Sequence, residues 1–186
     1  MGEEVDSEQR VPLKIVLGDV TDKNIQQLRL LNAAILPVRY QEKFYESILK
    51  QPPAFVRSAS YNDVVIAAVA CRKEPRSEEE GGGSKLYIMT LGVLAPYREH
   101  GVGTQLIQYV LKLLKSPTCN DVKEVFAHVH TENETAVDFY KKYGFQVTAT
   151  IPNYYKGIEP PDCYYMQKLP PFDMEETEEA DNTADS

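Results

Sequence analysis

Leu86-Tyr87-Ile88-Met89-Thr90-Leu91-Gly92-Val93-Leu94, then Arg98-Glu99-His100-Gly101-Val102-Gly103, then Thr104 to Lys115, form the stretch that decides the fold. An apolar run reads as a strand, a turn with an arginine and two close glycines follows, and the last segment is amphipathic. A strand-turn-helix of this kind points several backbone N–H groups at one spot, the positive end of a helix dipole. Glycines let the main chain approach an anion, and Arg98 adds a charge suited to phosphate oxygens. The expected ligand is a pyrophosphate.

Two phosphate motifs fail on their residues. A P-loop needs Gly-Lys-Ser/Thr, and Gly103 is followed by Thr104 and Gln105. A dinucleotide fingerprint needs a third glycine where Leu106 stands. A tight turn before an ordinary helix is the remaining alternative.

Upstream, Val11 to Leu17 reads as a strand, and Asp19 to Asp22 offers caps before Ile25, Leu28, Leu31 and Ile35 at helical spacing. Pro37 ends that helix, and Tyr40, Phe44, Tyr45, Ile48 and Leu49 imply another. Ala54 to Tyr61 and Val64 to Arg72 flank the turn pair Asn62-Asp63 as a hairpin, and Lys73 to Ser84 reads as a flexible surface loop. Downstream, Val102, Leu106, Ile107, Val110 and Leu114 stripe one helix face. Asp121 to Val129 is strand-like, and Thr131 to Glu134 resembles a capping box before Ala136, Val137 and Tyr140. Gly144 stops that helix, Phe145 to Thr150 begins a strand, Ile151 to Pro161 is a proline-punctuated aromatic loop, and Asp162 to Leu169 reads as a last strand. The order predicts an α/β domain on a mixed sheet.

The chain has 186 residues, enough for one well-buried domain, with 42% hydrophobic and 26% charged residues. The net charge of −8 is concentrated at the ends. Residues 1–10 and 170–186 are therefore expected as disordered acidic tails around a domain at 11–169. No basic stripe speaks for nucleic acid, and no membrane-length apolar run is present. Cys71, Cys119 and Cys163 form neither a CxxC pair nor a cluster with histidines, so no metal and no disulfide framework is expected. The expected location is cytoplasmic, with the nucleus as a further reducing compartment.

About thirty residues beyond the turn stands Asn133-Glu134-Thr135-Ala136-Val137-Asp138-Phe139-Tyr140-Lys141-Lys142-Tyr143-Gly144-Phe145. An R-x-x-G-x-G turn followed by N-x-x-A-x-x-F-Y-x-x-x-G-F resembles the GNAT superfamily of acetyl-CoA-dependent N-acetyltransferases. Leu86 to Gly92 with Ala95 to Arg98, Leu36 to Tyr40, and Asn153-Tyr154-Tyr155 with Ile158-Glu159-Pro160 narrow the likeness to N-alpha-acetyltransferases of the NatE type, which are also linked to sister-chromatid cohesion. The resemblance implies a single GNAT-type domain, with a mixed sheet of about seven strands flanked by about four helices. It also implies acetyl-CoA as cofactor and the N-terminal peptide of a nascent or mature protein as acceptor. Docking to the large auxiliary subunit and catalytic subunit of NatA at the ribosome is implied too.

Amide formation from a thioester needs a neutral amine. An α-amine, with a pKa of about 8, is far more often neutral near pH 7 than lysine at about 10.4, so a mild base is enough. His128, in a strand, suits that task. The resemblance gives Tyr87 and His128 a shared water that takes the amine proton. Left to themselves, the two side chains read rather as a packed aromatic and a satisfied imidazole. His130 is expected on the opposite face from His128, and His100 is expected to be exposed.

By the same resemblance, the backbone of Leu91, Gly92 and Val93 holds the acetyl and pantetheine portion. Arg98, Glu99, His100, Gly101, Val102, Gly103 and Thr104 hold the pyrophosphate, while Asn133 and Tyr140 reach the pantetheine and thiol end. Leu36, Pro37, Val38, Tyr40, Met89, Tyr154, Tyr155 and Ile158 match the wall around the first two acceptor residues. An apolar wall favours a Met-Leu start, because burying an unpaired charge there is costly. Leu36 stands where the family pattern has phenylalanine, and Gly157 where it has a basic residue. Two alternatives stay open: an ε-lysine or small-amine acetyltransferase, and a non-catalytic partner-docking subunit of the same fold. Leu86 to Leu94 contains no Asp or Glu to serve as a strong base, which weighs against a lysine acceptor.

Overall fold

The structure, a computed structural model, describes residues 13–173; residues 1–12 and 174–186, which include most of the two expected tails, lie outside the described residues. Seven strands and four α-helices follow one another as β1 (Val16–Asp19), α1 (Ile25–Ile35), α2 (Glu42–Leu49), β2 (Val56–Tyr61), β3 (Val64–Pro75), β4 (Ser84–Val93), α3 (Val102–Leu114), β5 (Val122–His130), α4 (Glu134–Lys142), β6 (Gln146–Ile151) and β7 (Cys163–Lys168). The strands form the expected seven-stranded mixed sheet. The described chain divides into two compact units, the first holding residues 13–73 and 88–110, the second 74–87 and 111–173. All three boundaries fall inside regular elements, β3, β4 and α3, rather than in linkers.

In the first unit β1, β2 and β3 pair antiparallel in sequence order. Asn62 and Asp63 take φ of 48° and 63°, the geometry a two-residue hairpin turn demands. Of the strand expected from Val11, residues 11 and 12 lie outside the described residues and 13–15 are not strand: β1 begins at Val16, which pairs with Ser60 one residue before β2 ends. The helical spacing of α1 is borne out: Ile25, Leu28 and Leu31 are buried, with Asn32 beside them. Leu106, fully buried on α3, contributes about 1.5–3 kcal/mol by its burial. Gly92 lets α1 sit tightly on β4, since a Cβ there would lie 2.4 Å from Ile35 Cδ1. The connection 36–41 leaves α1 at that contact.

In the second unit β7 lies between β5 and β6 and pairs antiparallel with both. Val125, Phe145 and Met166 are fully or almost fully buried there. The segment 73–84 is more ordered than expected: β3 runs on to Pro75, and Ser77 and Glu80 close a turn on each other. The cap of α4 is Asn133, whose Oδ1 accepts from Ala136 N–H at 3.1 Å. Thr131, expected as the cap, instead donates its N–H to Asp162 O. Packing continues past Leu169: Phe172 is buried and Asp173 pairs with Lys115.

Candidate active site

Strand alternation builds the centre of the second unit. Tyr87 alternates with buried Leu86 and Ile88 on β4 and emerges on the half-buried face. On β5, Glu124, Phe126, His128 and His130 fall on one face by the period of two. Tyr154 comes from the loop between β6 and β7. His128 Nδ1 lies 3.1 Å from Tyr87 Oη and 3.1 Å from Tyr154 Oη, and the two hydroxyls are 3.3 Å apart. With Nδ1 unprotonated, one hydroxyl donates to it and the other donates to the first. Three polar atoms thus meet at a single point.

Rings fix that point from all sides. Tyr154 stacks on His128 at 4.5 Å between centroids. Tyr87, Phe126 and Tyr165 stand in series, each 4.8 Å from the next and nearly parallel, and all three meet His128 edge-on. Desolvation in this cage lowers the His128 pKa below the ordinary 6.5; Glu74 pulls it up and Lys85 pushes it further down. The imidazole is therefore neutral at physiological pH, the state a base requires.

The loop carrying Tyr154 is tied at several points. Tyr155 N–H donates to Pro161 O, Asn153 N–H donates to Asp162 Oδ1, and His130 Nε2 donates to Pro160 O at 2.7 Å. His130 thus shares the face of His128, contrary to expectation, because residues two apart in a strand point the same way. Its ring is spent on the loop, against Tyr155. Tyr154 is 40% exposed, Tyr155 and Ile158 half-buried.

The first unit carries the turn expected to hold the phosphates. Arg98 Nε donates to Val93 O at 3.0 Å, which folds the turn back onto the end of β4. Glu99 and Gly101 adopt φ of 64° and 74°, and the first helical bond runs from Gln105 N–H to Gly101 O. The N–H groups of Val102 and Gly103, at the very start of α3, precede that bond and point toward the turn. No atom lies within 4 Å of where a Cβ on Gly101 would stand, so the approach to that main chain is open. A diphosphate fits these groups by charge and by space. His100 is half-buried with Nδ1 shielded and unpartnered, rather than exposed.

Of the residues expected around the acceptor, those in this unit are Leu36, Pro37, Val38 and Tyr40, on the connection between α1 and α2, and Met89, buried on β4. Val38 and Tyr40 line a hollow of about 290 Å³. Arg29, Asn32 and Arg39 line it too. In the second unit Tyr140 is buried on α4 against Phe139 and Phe145, and Asn133 commits its side-chain oxygen to the helix cap.

Residues 25–145 match the model of the acetyltransferase (GNAT) family. The chain belongs to the GNAT acetyltransferase family. It is 43% identical to N-alpha-acetyltransferase 50 of Danio rerio over 155 residues, which is 83% of this chain and 88% of that protein. It is 41% identical over 154 residues to the probable N-acetyltransferase san of Drosophila melanogaster, covering 83% of this chain and 80% of the relative. Among solved structures it resembles Arabidopsis thaliana Naa50 in complex with the bisubstrate analogue CoA-Ac-MVNAL. That match has a TM-score of 0.75 and 46% identity, covering 84% of this chain and 99% of that one.

Tyr154 and Tyr165 lie beyond the stretch matched to the GNAT family. Sequence reasoning placed Tyr154 in the acceptor wall and missed its contact with His128. It also missed Glu124, Phe126 and Tyr165, although the period-two run Glu124, Phe126, His128 was there to be read.

Proposed function

We propose that this chain transfers the acetyl group of acetyl-CoA to the α-amine of peptides beginning with Met and an apolar residue. The observation that carries this reading is the meeting of Tyr87 Oη, Tyr154 Oη and His128 Nδ1 within 3.3 Å, in a cage that keeps the imidazole neutral. The names of the relatives support N-terminal acetylation.

The main-chain N–H groups of Val102, Gly103 and Thr104, with Arg98, hold the diphosphate, and the backbone of Leu91, Gly92 and Val93 holds the acetyl and pantetheine portion. Asn133 keeps its side-chain NH₂ for the pantetheine, and Tyr140 serves the thiol end with its hydroxyl. Acetyl-CoA supplies the activated acetyl thioester. His128 takes the amine proton through a solvent molecule shared with Tyr87: as the solvent molecule accepts the amine proton and gives one to Tyr87 Oη, the Tyr87 hydroxyl gives its own proton to Nδ1. Because those two atoms already touch, the solvent molecule is held by the pair from one side rather than between them.

Leu36, Pro37, Val38, Tyr40, Met89, Tyr154, Tyr155 and Ile158 select the acceptor's first two residues, and an apolar pair suits them. A peptide panel varied at those two residues, run beside one internal-lysine peptide, tests the assignment. Met-Leu peptides turn over fastest; faster turnover of the lysine peptide replaces the reading with ε-lysine acetylation. Cofactor binding without turnover of any acceptor replaces it with a docking role. By the same likeness we infer a cytoplasmic location extending to the nucleus, with docking to the large auxiliary subunit of NatA. Co-purification with that subunit checks the docking.

A further inference from the structure

Behind the ring cage sits a buried acid with no place in the chemistry above. Glu124 is 6% exposed on β5, one turn of strand alternation from Phe126 and two from His128. Tyr165 Oη donates a short hydrogen bond to Glu124 Oε1, and Arg76 Nε lies 3.9 Å from Glu124 Oε2. Burial, and after it that bond, push the Tyr165 pKa well above the ordinary phenol value, so the hydroxyl keeps its proton and remains a donor. A buried carboxylate that accepts from Tyr165 and faces the Arg76 guanidinium is a fixed point, since moving it breaks the bond and separates the charges.

Tyr165 connects this fixed point to the reacting atoms. In the β5–β7 register it stands directly opposite His128, and its ring meets the imidazole edge-on at 5.6 Å. Its face stacks on Phe126, whose other neighbour in the series is Tyr87. The contacts run Arg76, Glu124, Tyr165, Phe126, Tyr87 and end on the hydroxyl 3.1 Å from His128 Nδ1. Lys85 Nζ, 5.3 Å from the Phe126 ring centre, adds a cation to the same stack.

We propose that Glu124 and Tyr165 are positioning residues: the Tyr165–Glu124 hydrogen bond locks the ring series that sets the angle of His128 and the reach of Tyr87. Neither residue touches substrate. The inference rests on the assignment of Tyr87 and His128 as the base. It goes beyond that assignment by naming what holds the pair in register, where a misplacement of an ångström is enough to lose most of a rate.

The test uses the full chain with acetyl-CoA and a Met-Leu peptide. Tyr165→Phe keeps the ring and removes only the hydroxyl; kcat falls about tenfold while KM for acetyl-CoA stays within about twofold. Glu124→Leu gives the same split, and Glu124→Gln, which keeps an accepting oxygen, loses less. Tyr165→Phe combined with Glu124→Leu is no slower than the slower single variant, because both remove one interaction. Wild-type turnover of a folded Tyr165→Phe, or a multiplied loss in the double variant, overturns the proposal. Should Tyr165→Phe or Glu124→Leu not fold, Glu124→Gln decides: turnover as low as that of His128→Ala overturns it, and an intermediate rate upholds it. His128→Ala separates the two assignments. If it keeps its turnover, the base is wrong and the positioning falls with it; if it is inactive while Tyr165→Phe is unaffected, only the positioning fails.

Discussion

The phosphate turn of the first unit and the histidine cage of the second are built from opposite materials. Main-chain N–H groups of consecutive residues make the turn, oriented by positive φ at Glu99 and Gly101 and pinned by Arg98 to Val93 O. Side chains make the cage, with Tyr87, His128 and Tyr154 separated by 41, 26 and 67 positions, and their aim depends on strand register and a tied loop. A site of the first kind tolerates side-chain change and fails when the backbone is bent. A site of the second kind fails when single atoms are removed.

That contrast breaks most visibly at His128. His128→Ala is expected to lower kcat by about a hundredfold or more with cofactor affinity unchanged, as turnover and calorimetry together would read. An equal loss of affinity would mean that the cage and the cofactor are not separable. Gly101→Val is expected to do the reverse: a left-handed φ costs a branched residue about 1–3 kcal/mol, so cofactor affinity drops about tenfold while bound enzyme turns over normally.

Tyr87→Phe and Tyr154→Phe sharpen the cage itself. Both hydroxyls stand 3.1 Å from Nδ1, so each loss is expected to lower kcat, with the smaller effect, about threefold, at half-exposed Tyr154. Leu36→Phe should change preference for the first acceptor residue by about fivefold with little effect on the rate for Met-Leu peptides, read by competition between peptides. The smallest effect is on pH. His128 must be neutral to accept a proton, and its pKa lies below 6.5, so the acid limb of kcat falls below that pH. Lys85 lowers that pKa, so Lys85→Met moves the limb upward and Glu74→Gln moves it down.

The same contrast explains what could be read in advance. Helices α1, α2 and α3, the hairpin at Asn62-Asp63 and the stop at Gly144 were legible because periodicity and turn chemistry are local signals. The start of β1 was not, because a strand ends where its partner ends. The cap of α4 is Asn133 rather than Thr131 because the helix begins only at Glu134; Thr131 instead gives its N–H to Asp162 O, 31 positions on. Tyr87 and His128 came forward only through family likeness; on their own they read as a packed aromatic and a satisfied imidazole.

By itself, the sequence determined the order of elements, the glycine turn before α3 and the family, since those rest on spacing within short windows of chain. Tertiary structure alone decided that Tyr154 completes the contact with His128, that His130 holds the loop, and that a buried Glu124 anchors Tyr165 behind them. Register and loop closure bring those atoms within hydrogen-bond reach, and neither is encoded in any window short enough to read.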